Sequence, residues 1–324
     1  MKKYKGISEK NIIYKYLKKL NFQKLEKFNF ENDAAFINLS KNKKLVITND
    51  TILESVDFFK NDKPESIANK IVTYNLSDIS AMGSSPYAYT LSLCLPKYIK
   101  HDWLKRFTKK LNFLQKKYNF FLIGGDLSKS NKIIISANFF GYITKGKIIK
   151  RTGVKINDDI WVTGNIGDSS IGLSIIKRKI KINNLDKKFF LKKYLYPKHC
   201  SIGNKINNYV TSGIDISDGF YGDLSNLIDY KNYGALINKN LIPFSNKTKK
   251  LINNRKVKIN SLLSSGDDYE LIFTANSKNS SIIKRISEKN NIKITKIGKI
   301  IRKKGIYLDN KKLKIINKSF EHFA

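Results

Sequence analysis

The stretch His101–Asp126, HDWLKRFTKKLNFLQKKYNFFLIGGD, joins two kinds of period in one run. Trp103, Phe107, Leu111, Leu114 and Tyr118 recur at steps of three and four, the spacing that gathers side chains on one face of a helix. Lys105, Arg106, Lys109, Lys110, Lys116 and Lys117 fall mostly off that stripe and read as a solvated face. Phe120-Phe121-Leu122-Ile123 then runs apolar without a break and stops at Gly124-Gly125-Asp126. That pattern predicts a buried strand ending in an acid. With YTLSLCL (89–95) as a strand before the helix, the order is strand, helix, strand, the mark of an α/β unit.

The same alternation extends in both directions. KLVIT (44–48) predicts a strand ending at Asn49-Asp50. Asp62 and Pro64 signal the start of a helix over 65–82, and Gly83 its stop. Asn75 and Asp78 lie three apart on that helix and can share a face. Ile12, Ile13, Tyr16, Leu17 and Leu20 are spaced for a short amphipathic helix. KIIISANFFGYI (132–143) is a further strand, and the first unit ends near it. We therefore expect two domains, residues 1–145 and 146–324. The second opens with IWVTGNIGDSSIGLSII (160–176), a strand, two glycines and a helix from about Asp168-Ser169. Pro197 ends the next helical stretch, IDISDGFYGDLSNLIDY (214–230) makes a strand-to-helix turn, and GALIN, YELIFTA and IKITKIGKI supply strands.

Composition excludes several classes. A chain of 324 residues, 41% hydrophobic, can bury two cores, so its charge does not imply disorder. No apolar h-region follows the basic start, and the most apolar stretch, 133–143, is too short to span a bilayer. Cys94 and Cys200 make no disulfide framework, and His101, His199 and His322 have no zinc-ligand spacing; a reducing cytoplasm is the expected home. The net charge of +36 invites a nucleic-acid reading, but arginine occurs only at 106, 151, 178, 255, 285 and 302. Readers of phosphate and bases tend to exploit arginine's planar fork, so no nucleic-acid partner is expected.

Against 62 basic residues there are only 26 acids, and several stand where strands stop or on nearby helix faces: Asp33, Asp50, Asp78, Asp126, Asp215 and Asp218. Any one alone reads as a cap or turn residue. Together they suggest a shared site, because converging carboxylates repel unless cations intervene, and magnesium with substrate phosphates is the usual remedy. TGNIGDSSIGL (163–173) has the glycines of a phosphate cradle but no Walker sequence, and tight strand-to-helix packing explains it equally well. Arg151 beside Thr152-Gly153 is a candidate phosphate clamp. No Gly-x-Ser-x-Gly elbow occurs, and neither cysteine carries a nucleophile signature. A reaction needing no protein nucleophile fits, such as phosphoryl transfer to an acceptor that is already anionic.

NDAAF (32–36), TNDTILESVDFF (48–59), NLSDISAMGSSP (75–86), LIGGD (122–126), KRTG (150–153), WVTGNIGDSSIGL (161–173), IDISDGFYGDL (214–224), SSGDDYELIFT (264–274) and FEHF (320–323) occur in one order. Together they resemble the thiamine-monophosphate kinase family over nearly the whole chain. The resemblance implies an α/β (α+β) two-domain fold like aminoimidazole ribonucleotide synthetase, with N-terminal sheets pairing across a homodimer. It implies ATP-dependent phosphorylation of thiamine monophosphate to the diphosphate. Carried over by position, it implies magnesium ligation by Asp33, Asp50, Asp78, Asp126, Asp215 and Asp218, with Thr48 and Asn49 nearby. Gly125, Asp126, Arg151 and Ser217 would meet ATP, with Asp126, Asp218 and Arg151 catalytic; Asp57, Asp267 and Phe320 would meet thiamine monophosphate. The chain departs from the family's pattern at Glu31-Asn32, Asn49, Asp57 and Asp267. Two readings compete: another ATP-dependent enzyme of the same superfamily, and a catalytically silent nucleic-acid binder.

Overall fold

The computed structural model of the chain describes residues 35–40, 42–144 and 146–313. The amphipathic segment within the first twenty residues, Asp33 with Glu31-Asn32, and Phe320 lie outside them.

The first half builds a five-stranded sheet from β1 (Ala35–Ser40), β2 (Lys43–Leu53), β3 (Ser85–Leu95), β4 (Phe121–Lys129) and β5 (Ile134–Thr144), in the order β1-β2-β5-β3-β4. Helix α1 (Pro64–Ala81) links β2 to β3, and α2 (His101–Tyr118) links β3 to β4. Only β3 and β4 pair in parallel; β2 and β3 both run antiparallel to β5 between them. The predicted stripe packs as expected: Phe107, Leu111 and Leu114 are buried with Ile67, Ile71 and Leu76 of α1 against Val46, Ile52 and Phe139 of the sheet. At roughly 1.5–3 kcal/mol per buried side chain, this two-helix layer holds the sheet.

Both helices cover one face, so strand alternation decides which residues face them. On β2, Val46 and Thr48 are buried beneath the helices, and Asp50 shares their side. Asn49 and Thr51 point to the opposite face, where a polar network replaces a core. Asn49 donates to Asn138 Oδ1 at 2.9 Å, Thr51 to Ser136 Oγ at 2.9 Å, and Asn138 to Thr90 Oγ1 at 3.0 Å.

Two expectations change here. Asp50 and Asp126 do not end their strands: β2 runs on to Leu53 and β4 to Lys129. The β-branched and apolar Thr51-Ile52-Leu53 continue the alternation and pair with Ser136-Ile135-Ile134. Nor is FFLIGG buried beyond Phe120, because β4 is an edge strand exposed throughout, with Ile123 59% and Leu127 76% exposed. A continuous apolar run cannot distinguish a strand buried in the sheet from one at its edge.

The second half forms a seven-stranded sheet from β6 (Asp159–Thr163), β7 (Ser212–Asp215), β8 (Gly234–Ile237), β9 (Leu271–Ala275), β10 (Ile294–Ile301), β11 (Gly305–Leu308) and β12 (Lys311–Lys312). Its order is β12-β11-β8-β10-β6-β9-β7. Around it lie α3 (Asp168–Ile176), α4 (Asn184–Leu195), α5 (Gly203–Ile206), α6 (Phe220–Ile228), α7 (Asn246–Asn253), α8 (Ile259–Leu263) and α9 (Ser280–Lys289). Strand β7 is an edge strand of four buried residues, and its last residue is Asp215. Helix α1 of the first half packs against β7, so this strand end lies beneath the helix that carries Asp78.

Candidate active site

Acids from both halves meet where α1 crosses the end of β7. Thr48 Oγ1 donates to Asp78 Oδ2, tying β2 to α1. Ser77, one residue earlier on α1, donates to Asp215 Oδ2 at 2.7 Å, tying α1 to β7. Asp218 follows in the turn before α6. Burial raises the Asp50 pKa to about 7, and the nearby carboxylates of Asp215, Asp57 and Asp218 add to the rise. Burial first, then Asp50 and Asp215, hold Asp78 well above the usual carboxylate range. Burial also raises Asp215, although the Ser77 hydroxyl and Arg151 oppose it. Asp50 Oδ2 is buried without a hydrogen-bond partner, an expensive condition for an anionic oxygen.

Arg151 opens a short 3-10 turn, Arg151–Gly153, held against β7. The Gly213 amide donates to the Lys150 carbonyl at 3.2 Å. Gly153 is required there, because a Cβ would stand 1.8 Å from the Thr211 carbonyl oxygen. The Arg151 charge acts on both Asp215 and Asp223. Asp223 was missed in the sequence. It sits in the first turn of α6, 2% exposed, and accepts from the amides of Gly219 at 3.1 Å and Asp218 at 3.3 Å. An acid in a first helical turn is a legible capping signal. It fixes the turn that presents Asp218.

A second group adjoins the first. Ser217 accepts the Asp267 amide on its carbonyl at 2.8 Å, so the turn after β7 also places Asp267. Asp267 has φ 70°, a left-handed conformation that an aspartate adopts readily, and Tyr269 has φ 52°, one that is uncommon for a bulky residue. Asp57 closes the turn after β2, its Oδ2 accepting from the Leu53 amide at 2.7 Å. The charges of Asp57 and Asp267 both reach Lys70, Tyr74 and Tyr194. The two acids therefore share one neighbourhood, although they stand in different halves of the chain.

A third set does not join the cluster within the chain. Asn49 lies on the open face of the first sheet, spent on Asn138, Ser136 and the Ala137 carbonyl. Asp126 on β4 registers with Ser92 on β3, accepts from Ser128 at 2.9 Å, and is exposed beside Gly125. Among the described residues, no three acidic, histidine or cysteine side chains form a ready-made metal cage. A magnesium ion held by one or two carboxylates, waters and substrate phosphates needs none.

The glycine turn before α3 is packing and not an anion cradle. The Gly167 amide donates to Asp268 Oδ2 at 2.8 Å, so a carboxylate already occupies that helix start. A Cβ on Gly164 would lie 1.8 Å from Glu270 Oε1, and one on Gly172 2.3 Å from the Phe190 carbonyl oxygen. Burial raises Glu270 to about 7 and holds Asp268 well above its usual range. Phosphate has no place among them.

Both halves of the chain match known protein families. Residues 31–143 match the family described as AIR synthase related protein, N-terminal domain, and residues 155–310 its C-terminal domain. The thiamine-monophosphate kinase of Buchnera aphidicola subsp. Schizaphis graminum is 38% identical over 98% of this chain and 99% of its own. A structure of AaThiL complexed with AMPPCP and TMP superposes with a TM-score of 0.84 at 26% identity, covering 98% of this chain and 97% of its own. Thiamine-monophosphate kinase from Stenotrophomonas maltophilia K279a superposes with a TM-score of 0.79 at 28% identity, covering 87% and 90%.

Proposed function

The chain belongs to the thiamine-monophosphate kinase family, and we propose that it phosphorylates thiamine monophosphate to thiamine diphosphate at the expense of ATP. A phosphate oxygen of the acceptor attacks the γ-phosphorus of ATP; the new O–P bond forms as the bond to the β–γ bridging oxygen breaks and ADP leaves. The acceptor is already anionic, so no protein nucleophile is needed, and positioning with electrostatics supplies the catalysis. The observation that carries this reading is the meeting of Asp50, Asp78, Asp215 and Asp218 from both halves, with one buried oxygen unsatisfied.

That crowding fits a site completed by magnesium, since orphaned oxygens and raised pKa values are what cations relieve. Asp50, Asp78, Asp215 and Asp218 would share several magnesium ions, one or two carboxylates to each, with Thr48 orienting Asp78. The family pattern adds Asp33. When bound, magnesium neutralises triphosphate charge. Arg151, whose charge acts on Asp215, would be the phosphate clamp, and Ser217, in the turn after β7, would meet the nucleotide. The family resemblance assigns Asp57, Asp267 and Phe320 to thiamine monophosphate.

Residues 1–145 form the nucleotide-binding and dimerising domain in this reading, and 146–324 the domain that completes the site. A homodimer accounts for the exposed apolar edge of β4, where Phe121, Leu122, Ile123 and Leu127 all face outward. It would also enclose the open face that bears Asn49, Gly125 and Asp126, the residues assigned to nucleotide and metal from that side. We place the enzyme in the cytoplasm. Both cysteines are free thiols, and no helix among the described residues is long and apolar enough to cross a membrane. The test is isotopic: label in the γ-phosphate of ATP should appear in thiamine diphosphate. Label recovered only as inorganic phosphate would refute the transfer.

A further inference from the structure

Lys70 is 1% exposed, a rare state for a lysine, and the chemistry above leaves it without a task. It sits on α1 with its Nζ donating to the Asp57 carbonyl at 2.6 Å. The same ammonium lies 3.8 Å from the centroid of the Tyr194 ring on α4, in the other half of the chain. Burial lowers its pKa, and the carboxylates of Asp267, Asp62 and Asp57 work in the opposite direction. One turn further along α1, Tyr74 stacks on Tyr269 with ring centroids 4.6 Å apart, and the Tyr269 hydroxyl donates to Asp267 Oδ1 at 2.8 Å. Residues four apart on a helix share a face. One face of α1 therefore holds Asp57 through Lys70 and Asp267 through Tyr74 and Tyr269.

We propose that Lys70 is a positioning residue for the acceptor side of the reaction. Its ammonium pins the turn carrying Asp57 to α1 and, through Tyr194, to α4, so that Asp57 and Asp267 keep their spacing across the two halves. This rests on the reading of Asp57 and Asp267 as the residues that face thiamine monophosphate. Lys70 holds the Asp57 carbonyl and seats on the Tyr194 ring, so its loss acts chiefly on the acceptor side. A lysine with a merely structural role would affect both substrates or neither.

The test uses the full-length enzyme and Lys70→Met, which keeps the buried stem and removes the ammonium. The KM for thiamine monophosphate rises about tenfold or more while the KM for ATP stays within about twofold. Equal changes in both KM values, or an unchanged KM for thiamine monophosphate, overturn the proposal. If Lys70→Met does not fold, Tyr194→Leu leaves the ammonium in place and removes only its aromatic seat. A rise of about threefold in the same KM supports the proposal, and no rise overturns it. A wild-type protein without thiamine-monophosphate-dependent turnover would instead overturn the functional reading, and this proposal with it.

Discussion

Ser77 and Asp215 stand 138 positions apart and are joined by a single hydrogen bond of 2.7 Å, from a helix of the first half to the last residue of a strand in the second. The bond does two things. It locks the helix that bears Asp78 onto the strand end that bears Asp215, and it opposes the rise in the Asp215 pKa.

Replacing Ser77 with Ala should therefore act on the reaction more than on the fold. A hydrogen bond to a charged group is worth about 1.5–3 kcal/mol, so kcat/KM should fall by about tenfold to a hundredfold. The rise that burial forces on Asp215 would then go unopposed by this hydroxyl. Steady-state kinetics with thermal melting checks this; unchanged kcat/KM in a folded variant would count against it.

Asp50 makes a pH prediction. Its folded pKa is raised to about 7, above the ordinary carboxylate value of 3.8. The folded state thus holds the proton more tightly, and stability is lost as pH climbs from about 4 to about 7. Glu270, also raised to about 7, contributes with the same sign. In metal-free buffer, Asp50→Asn should raise the melting temperature at pH 7.5 and flatten part of the pH slope, while activity drops by about a hundredfold or more. Added magnesium should stabilise the wild type more than the variant. A variant that melts lower than wild type across the whole range would contradict this account.

Asp126→Asn separates two roles for an acid after two glycines. As a turn or strand residue, asparagine would serve nearly as well. As a nucleotide–metal contact it would not: activity should fall by at least about a hundredfold, roughly 3 kcal/mol of transition-state electrostatics, at an unchanged melting temperature. Near wild-type turnover would remove Asp126 from the site.

The exposed edge of β4 predicts association. Leu127→Asp places a charge on a side chain that is 76% exposed in the isolated chain, so it should cost the protomer little. Light scattering should report a dimer for the wild type and a monomer for the variant. A wild type that is monomeric at micromolar concentration would refute the pairing.

Periodicity made the helices legible. The stripe from Trp103 to Tyr118 occupies α2 as read, and Pro64 and Gly83 bracket α1. The strand-to-helix turn at Asp215 and Asp218 stands where the sequence predicts it, because a short apolar stretch followed by Ser-Asp-Gly leaves few alternatives. Strand ends were harder. Asp50 and Asp126 interrupt apolar runs without interrupting the ladder, since a strand tolerates an acid on either face. Which face each acid took depended on register, and register is set by pairing partners far away in sequence. Asn49 and Asp50, adjacent in the strand, must point to opposite sides of the sheet, and only the pairing shows which of them shares the helix-covered side. Lys70 and Tyr74 could not be singled out either. In sequence nothing separates them from the chain's other lysines and tyrosines, and the fold alone brings Tyr194 against Lys70 and Tyr269 against the half-buried Tyr74.

In the proposed reaction this acid cluster serves the transfer of a phosphoryl group from ATP to thiamine monophosphate. The most direct measurement is coupled ADP release by the purified full-length protein, with thiamine monophosphate present or omitted, and with magnesium or excess chelator. The account predicts ADP release that requires both thiamine monophosphate and magnesium. Equal release without thiamine monophosphate, or undiminished release in excess chelator, would contradict it.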